Sequence, residues 1–258
     1  MPWISIQFPR ATTQGRPYKP ISFTQCRLYW GKIYERKIIM NEKDRVLYII
    51  DILKEKYPKV ECTLEYENEP YKLLITARLS AQCTDERVNI VTPSLFAEFA
   101  SLEDFADADL EKLEKAIFSC GLYKTKAKNI KDMCRMLIDE YNSTVPDTID
   151  ELLKLPGIGR KIANLILGDV FGKPAVVTDT HCIRISNRLG LCESQNPHVV
   201  EKQLWNVIPK EKYDESNDFC HRLVYFGREY CKSQNPRCNI CFLNSVCRYK
   251  EKTGVDKK

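Results

Sequence analysis

Residues 155–171 read LPGIGRKIANLILGDVF, and the reading of this stretch decides the fold. An apolar segment runs into Pro156-Gly157-Ile158-Gly159, and a second apolar-periodic segment starts directly after the second glycine. Glycines at alternate positions permit positive φ and let another backbone approach closely. Because the turn opens straight into a helix, its free amides and the helix dipole point the same way, which makes an anion site. Leu155 and Ile158 are placed to pack the two helices together. Taken alone, the same turn is also readable as an ordinary helix connection.

Working outward, nearly everything from Met40 onward carries a helical period. Val46, Ile49, Ile50 and Leu53 fall on one face after an Asn41 cap. Pro70 stands in a first-turn position before YKLLITARLSAQ, which predicts a buried helix. DLEKLEKAIFSC predicts a helix ended by Gly121, and residues 123–141 one stopped by Asn142. Thr148 and Glu151 predict a capping box that leads into the hairpin. Further helices are expected at 160–171, 181–189, 198–208 and 217–230, with strand signals confined to short pieces such as 175–177. The expected class is all-α, with roughly ten short helices.

Composition narrows the function classes. The chain has 258 residues, 43% hydrophobic and 29% charged, and no apolar run reaches the ~18–20 residues of a membrane span. Its net charge of +5 is unevenly placed. Residues 1–39 hold seven basic groups against Glu35 alone, a net +6, so the remainder carries −1. This first segment lacks helical periodicity. It reads as a basic extension: a disordered arm, a targeting segment, or a stretch upstream of a start at Met40.

Twelve cysteines fall into two sets. Eight, from Cys26 to Cys220, are scattered singly and read as small buried hydrophobes in a reducing compartment. The other four, Cys231, Cys238, Cys241 and Cys247, form C-x₆-C-x₂-C-x₅-C. Zinc ribbons usually show two C-x₂-C pairs, whereas this uneven spacing suits a loop wrapped around a four-iron cluster. Lys232 and Arg237 stand within that loop and are candidates to meet a phosphate; as solvated surface charges they would look the same.

Two further residues carry candidate chemistry. Lys161 lies in the first turn of the helix after the hairpin, where the dipole disfavours a positive charge and favours a nucleophilic amine. Asp179, in VVTDTHCIRISNR, precedes another helix, where a carboxylate is placed to stabilise a cationic sugar in a transition state. A solvated lysine and a plain N-cap are the alternatives.

The hairpin is similar to the helix-hairpin-helix, a module that grips DNA phosphates without reading bases. LPGIGRK, VTDTH and the four-cysteine pattern, in that order, together with LSAQCTD at 79–85 and GLYKTKAKNI at 121–130, resemble the endonuclease III family of iron–sulfur DNA glycosylases. The resemblance spans about 40–250 and leaves out 1–39. It implies a two-domain helix-hairpin-helix glycosylase fold: a six-helix domain at about 63–173, and an iron–sulfur helical domain built from about 40–62 and 174–258. Lys161 matches the nucleophile, Asp179 the catalytic aspartate, and the four cysteines the ligands of a [4Fe–4S] cluster. Gln82 and Leu122 match residues that enter the base stack. Arg160 and His181 complete the DNA-facing set with Gly157, Gly159, Lys232 and Arg237.

The implied activity is bifunctional: removal of oxidised pyrimidines from double-stranded DNA, then strand cleavage at the abasic site through a lysine Schiff base. A monomer acting at the nucleoid of a prokaryotic-type cytoplasm is expected. An adenine-type mismatch glycosylase of the same superfamily carries Ser at the lysine position and a catalytic Glu before LSAQ, neither of which is present here. A non-catalytic iron–sulfur DNA-binding module is the other alternative, against which the presence of both Lys161 and Asp179 counts.

Overall fold

The computed structural model describes residues 40–249. The basic extension at 1–39, with Cys26, and the tail from 250 lie outside the described residues. Asn41 onward forms one compact unit. Among the described residues there are eleven α-helices and no strand, so the all-α expectation holds. No helix among them is long and apolar enough to cross a membrane.

Helix α1 (Glu42–Lys56) starts where expected, because the Asn41 side chain accepts a hydrogen bond from the Asp44 amide at 2.9 Å. Helix α2 (Pro70–Leu79) carries Pro at its first position and buries Leu73, Leu74, Ile75, Ala77 and Leu79. A helix apolar on nearly every side must be surrounded. Accordingly α2 packs against α3 (Asp85–Glu98), α6 (Tyr123–Tyr141) and α8 (Arg160–Asp169). Helices α4 (Leu102–Asp107) and α5 (Leu110–Ala116) cover α6, and the single turn α7 (Ile149–Leu152) leads into the hairpin before α8. A second neighbourhood joins α11 (Ser216–Glu229) to α1 and α9 (Thr180–Leu189), with α10 (Pro197–Val207) between α9 and α11 in the chain. The pairing of α8 with α11 connects the two groups.

Three local expectations change. Helix α2 stops at Leu79 rather than running through LSAQ. Ser80 turns its hydroxyl back to the Ala77 carbonyl at 2.9 Å, and Gln82 takes a left-handed φ of 56°. The Thr148 box is half made: Thr148 Oγ1 accepts from the Glu151 amide, but the Glu151 carboxylate accepts from Tyr141 Oη at 2.6 Å and Lys154 Nζ at 2.7 Å. Gly121 ends a 3₁₀ turn at Phe118–Cys120, because the α-helix before it already stops at Ala116. Of the scattered cysteines described, Cys120, Cys134, Cys182, Cys192 and Cys220 are buried packing groups, whereas Cys62 and Cys83 keep partial exposure.

Candidate active site

The hairpin turn is built from two glycines that do different things. Gly157 has φ 78°, and a Cβ there would lie 2.8 Å from both Asn129 Cβ and Arg78 Nε, so the turn seats on α2 and α6 only without a side chain. Gly159 is extended (φ −98°, ψ 173°) and forms the N-cap of α8 with no side chain to cap it. Nothing lies within 4 Å of where its Cβ would stand. Of the two, positive φ is therefore needed at Gly157 alone, and Gly159 leaves open space at the N-cap of α8. Leu155 and Ile158 are buried, as the packing of the hairpin requires.

Lys161, the second residue of α8, is exposed and lines a cleft of about 730 Å³. Asp179 lines the same cleft while capping α9, its Oδ1 accepting from the Cys182 amide at 2.6 Å. The cap and the candidate carboxylate are thus one residue. The two candidates are held in register by Asn164, one turn along α8 from Lys161 and buried, which donates to the Val176 carbonyl at 3.1 Å. That bond ties α8 to the extended segment ending at Asp179.

His181 also lines the cleft. Its Nδ1 lies 3.1 Å from Arg184 Nη2, which also donates to the Cys231 carbonyl at 3.1 Å. Since Arg184 can only donate, Nδ1 accepts and the ring's Nε2 carries the proton. Burial holds His181 below the usual histidine value, with Asp179 opposing and Arg184 reinforcing the shift. Gly227 makes room for this ring, because a Cβ there would meet His181 Nδ1 at 2.3 Å.

Gln82 is exposed on the rim of the cleft, and Leu122, 55% exposed with φ 47°, caps α6 without a side-chain hydrogen bond. Large apolar side chains rarely protrude from left-handed turns, so Leu122 is held out against its own preference. Arg160, expected to face the DNA, is tied to a neighbouring helix. Its guanidinium forms a two-pronged pair with Glu201 on α10, Nε to Oε2 at 2.7 Å and Nη2 to Oε1 at 2.9 Å. Glu201 is 3% exposed. The guanidinium is engaged with this buried carboxylate and braces α8 against α10.

Several cleft residues carry no signal in the sequence. Asp85 pairs with Arg228 at 3.1 Å and accepts from Thr63 Oγ1 at 2.7 Å. His221 lines the cleft and donates or shares a proton with Asp169 at 2.7 Å, beside Asn217 at 2.8 Å on the same oxygen. The Asp85–Arg228 and Asp169–His221 partners lie 143 and 52 residues apart, and nothing local joins them.

The four terminal cysteines line one cavity together with Arg188, Phe226 and Tyr230. Arg188 Nη1 lies 3.4 Å from Cys231 Sγ, and the Asn244 amide holds the Cys238 carbonyl at 2.6 Å. Burial pushes the Cys241 thiol up to about 11, and the neighbouring Cys247, Cys231 and Cys238 add to the shift. Four thiolates on one cavity need a cationic centre among them, so the chemistry of the donor set fits a thiolate-held cluster, although among the described residues no three ligating side chains converge as a ready-made metal site. Lys232 and Arg237 are exposed on the loop.

Comparison with known proteins shows the family. Residues 75–210 match the family described as HhH-GPD superfamily base excision DNA repair protein. Endonuclease III of Bacillus subtilis (strain 168) is 44% identical over 215 residues, covering 83% of this chain and 95% of the relative. Endonuclease III of Synechocystis is 41% identical over 208 residues, covering 80% and 93%. A solved structure of a trapped endonuclease III–DNA covalent intermediate, an estranged-adenine complex, superposes with a TM-score of 0.75 at 45% identity, covering 81% of this chain and 97% of that one. The hairpin, the paired lysine and aspartate on one cleft and the length of these matches lead to one conclusion: the chain belongs to the endonuclease III family of the HhH-GPD superfamily.

Proposed function

We propose that the chain is a bifunctional DNA glycosylase and abasic-site lyase that removes oxidised pyrimidines from double-stranded DNA. The observation that carries this is the placement of Lys161 and Asp179 on one cleft, beside a hairpin whose Gly159 has open space where a side chain would stand. A base inside a duplex is out of reach, so the nucleotide is turned out into the cleft. Amides around Gly157 and Gly159 hold a backbone phosphate, while Gln82 and Leu122 fill the vacated stack. His181, Lys232 and Arg237 lie toward the DNA.

As the glycosidic bond breaks, Asp179 stabilises the oxocarbenium-like sugar. The Lys161 amine attacks the anomeric carbon and the base leaves with the bonding pair. The amine loses its protons as the imine forms and the sugar ring opens. The resulting Schiff base acidifies the adjacent C2′ proton, whose loss expels the 3′ phosphate by β-elimination. Cys231, Cys238, Cys241 and Cys247 would hold a [4Fe–4S] cluster. When bound there, the cluster would cross-link the loop that bears Lys232 and Arg237 and would supply no group to the sugar.

The hairpin domain would take in 63–173, where the structure has seven α-helices, and the cluster domain 40–62 with the chain from 174 onward, which would put the cleft between them. A monomer working beside the chromosome belongs to this reading, and a reducing compartment accords with the free cysteines of the described residues.

Borohydride trapping on a duplex carrying thymine glycol tests the mechanism. Wild type forms a covalent adduct and Lys161→Ala forms none; an adduct with Lys161→Ala sinks the assignment. Purified protein should contain iron and acid-labile sulfide and show broad visible absorption, with iron lost in Cys238→Ala; stoichiometric zinc instead would refute the cluster.

A further inference from the structure

Lys126, on the first turn of α6, has no exposed surface. A buried ammonium is costly unless its protons are taken up. Its Nζ donates to the Leu79 carbonyl at 2.7 Å and to the Cys120 carbonyl at 2.8 Å. Leu79 is the last residue of α2, and Cys120 the last of the 3₁₀ turn at Phe118–Cys120. Both carbonyls therefore sit at helical C-termini, where orphan acceptors and the negative dipole end favour a cation.

Each carbonyl opens a turn with a left-handed residue in it. Three residues beyond Leu79 stands Gln82, with φ 56°, and two residues beyond Cys120 stands Leu122, with φ 47°. Neither is glycine, and such conformations persist only where the surroundings over-determine them. The two turns are 40 residues apart in the chain, and one buried ammonium bonds to the carbonyl that launches each.

We propose that Lys126 is a positioning residue: its ammonium fastens the Gln82 turn to the Leu122 turn, so that both side chains enter the duplex as one rigid pair. This rests on the reading of Gln82 and Leu122 as the residues that fill the stack. A pair ordered in advance adds no loop-ordering cost to base extrusion. Loss of the fastening is felt where a duplex must be opened, and not where the sugar is already accessible.

The test uses the full chain with its cluster and the variants Lys126→Met, Lys126→Gln, Gln82→Ala and Leu122→Ala. Two substrates are compared: a thymine glycol duplex in single turnover, and single-stranded DNA with a preformed abasic site in borohydride trapping. Lys126→Met should slow base removal from the duplex by on the order of tenfold to a hundredfold. It should leave trapping of the single strand near the wild-type level, because the reacting groups stay in place. Hydrogen exchange should quicken at 80–83 and 120–123. Lys126→Gln, whose amide reaches one carbonyl, should fall between and serves where Lys126→Met does not fold.

If Leu122→Ala slows the duplex reaction and neither Lys126 variant does, the fastening role is overturned while the insertion reading stands. If neither Gln82→Ala nor Leu122→Ala slows it, the insertion reading fails and the proposal with it. Equal loss on both substrates in the Lys126 variants also overturns the proposal, because it marks a general effect on the fold.

Discussion

Replacing Arg160 by Ala separates two roles that the sequence treats as one. In the structure Glu201 is 3% exposed and spends both carboxylate oxygens on the Arg160 guanidinium. Removing the guanidinium leaves a carboxylate nearly out of water with no cation beside it. Breaking a fully buried pair in this way costs about 3–5 kcal/mol. The Arg160 side chain is 40% exposed, so water reaches that end of the pair and the cost comes down to about 2–3 kcal/mol. In urea a loss of that size moves the unfolding midpoint by roughly 1 M for a chain of this length. Glu201→Gln keeps the shape and one acceptor and should lose less, about 1–2 kcal/mol. The double variant should fall short of the sum, because the two residues share one interaction.

Binding to an abasic-site duplex across a salt series provides the second axis. If Arg160 held a phosphate, its loss would lower the slope of log K against log salt by about 0.9. If it braces α8 against α10, affinity falls only as far as the hairpin loosens and the slope is unchanged. An Arg160→Ala variant as stable as wild type, with the slope reduced, would refute the bracing role and restore Arg160 to the DNA interface.

The remaining predictions concern the same cleft. Gly157→Ala should destabilise the chain by at least about 1–2 kcal/mol, because φ 78° disfavours an L side chain and the new Cβ meets Asn129. Gly159→Ala should leave the thermal midpoint near wild type, since the space before it is open, while weakening DNA binding; equal effects from the two would contradict the division of labour in the hairpin. His181 should titrate below 6.5 by imidazole NMR, because burial dominates its surroundings. Between that lowered value and 6.5 the unfolded chain binds more protons than the folded one, so stability should rise with pH across that window. His181→Gln should flatten that part of a midpoint-against-pH curve, and an unchanged slope would rule out the histidine as its source.

Residues whose meaning is carried by near neighbours are legible in the sequence. Asn41 and Asp179 accept from amides three residues on, a geometry that helix starts impose whatever packs around them. The hairpin can be read because two glycines, a flanking apolar pair and a helix start fall within a few residues. Expectation and structure part where one local signal has two outcomes. Ser80 prolongs a helical pattern as readily as it ends one, and Glu151 finds Tyr141 and Lys154 instead of its own cap.

The sequence by itself determined the all-helical class, the hairpin, the candidate lysine and aspartate that follow it and the four-cysteine loop, because each depends on spacing along the chain. Only the tertiary structure decided which charges face solvent and which are spent inside. Lys126 and Arg160 are both basic residues near a helix start, and nothing local marks the first as wholly buried or the second as taken by a carboxylate 41 residues away. The physical reason is that a side chain's partner is set by which helices meet, and burial decides whether a charge remains available to DNA or must be neutralised within the fold.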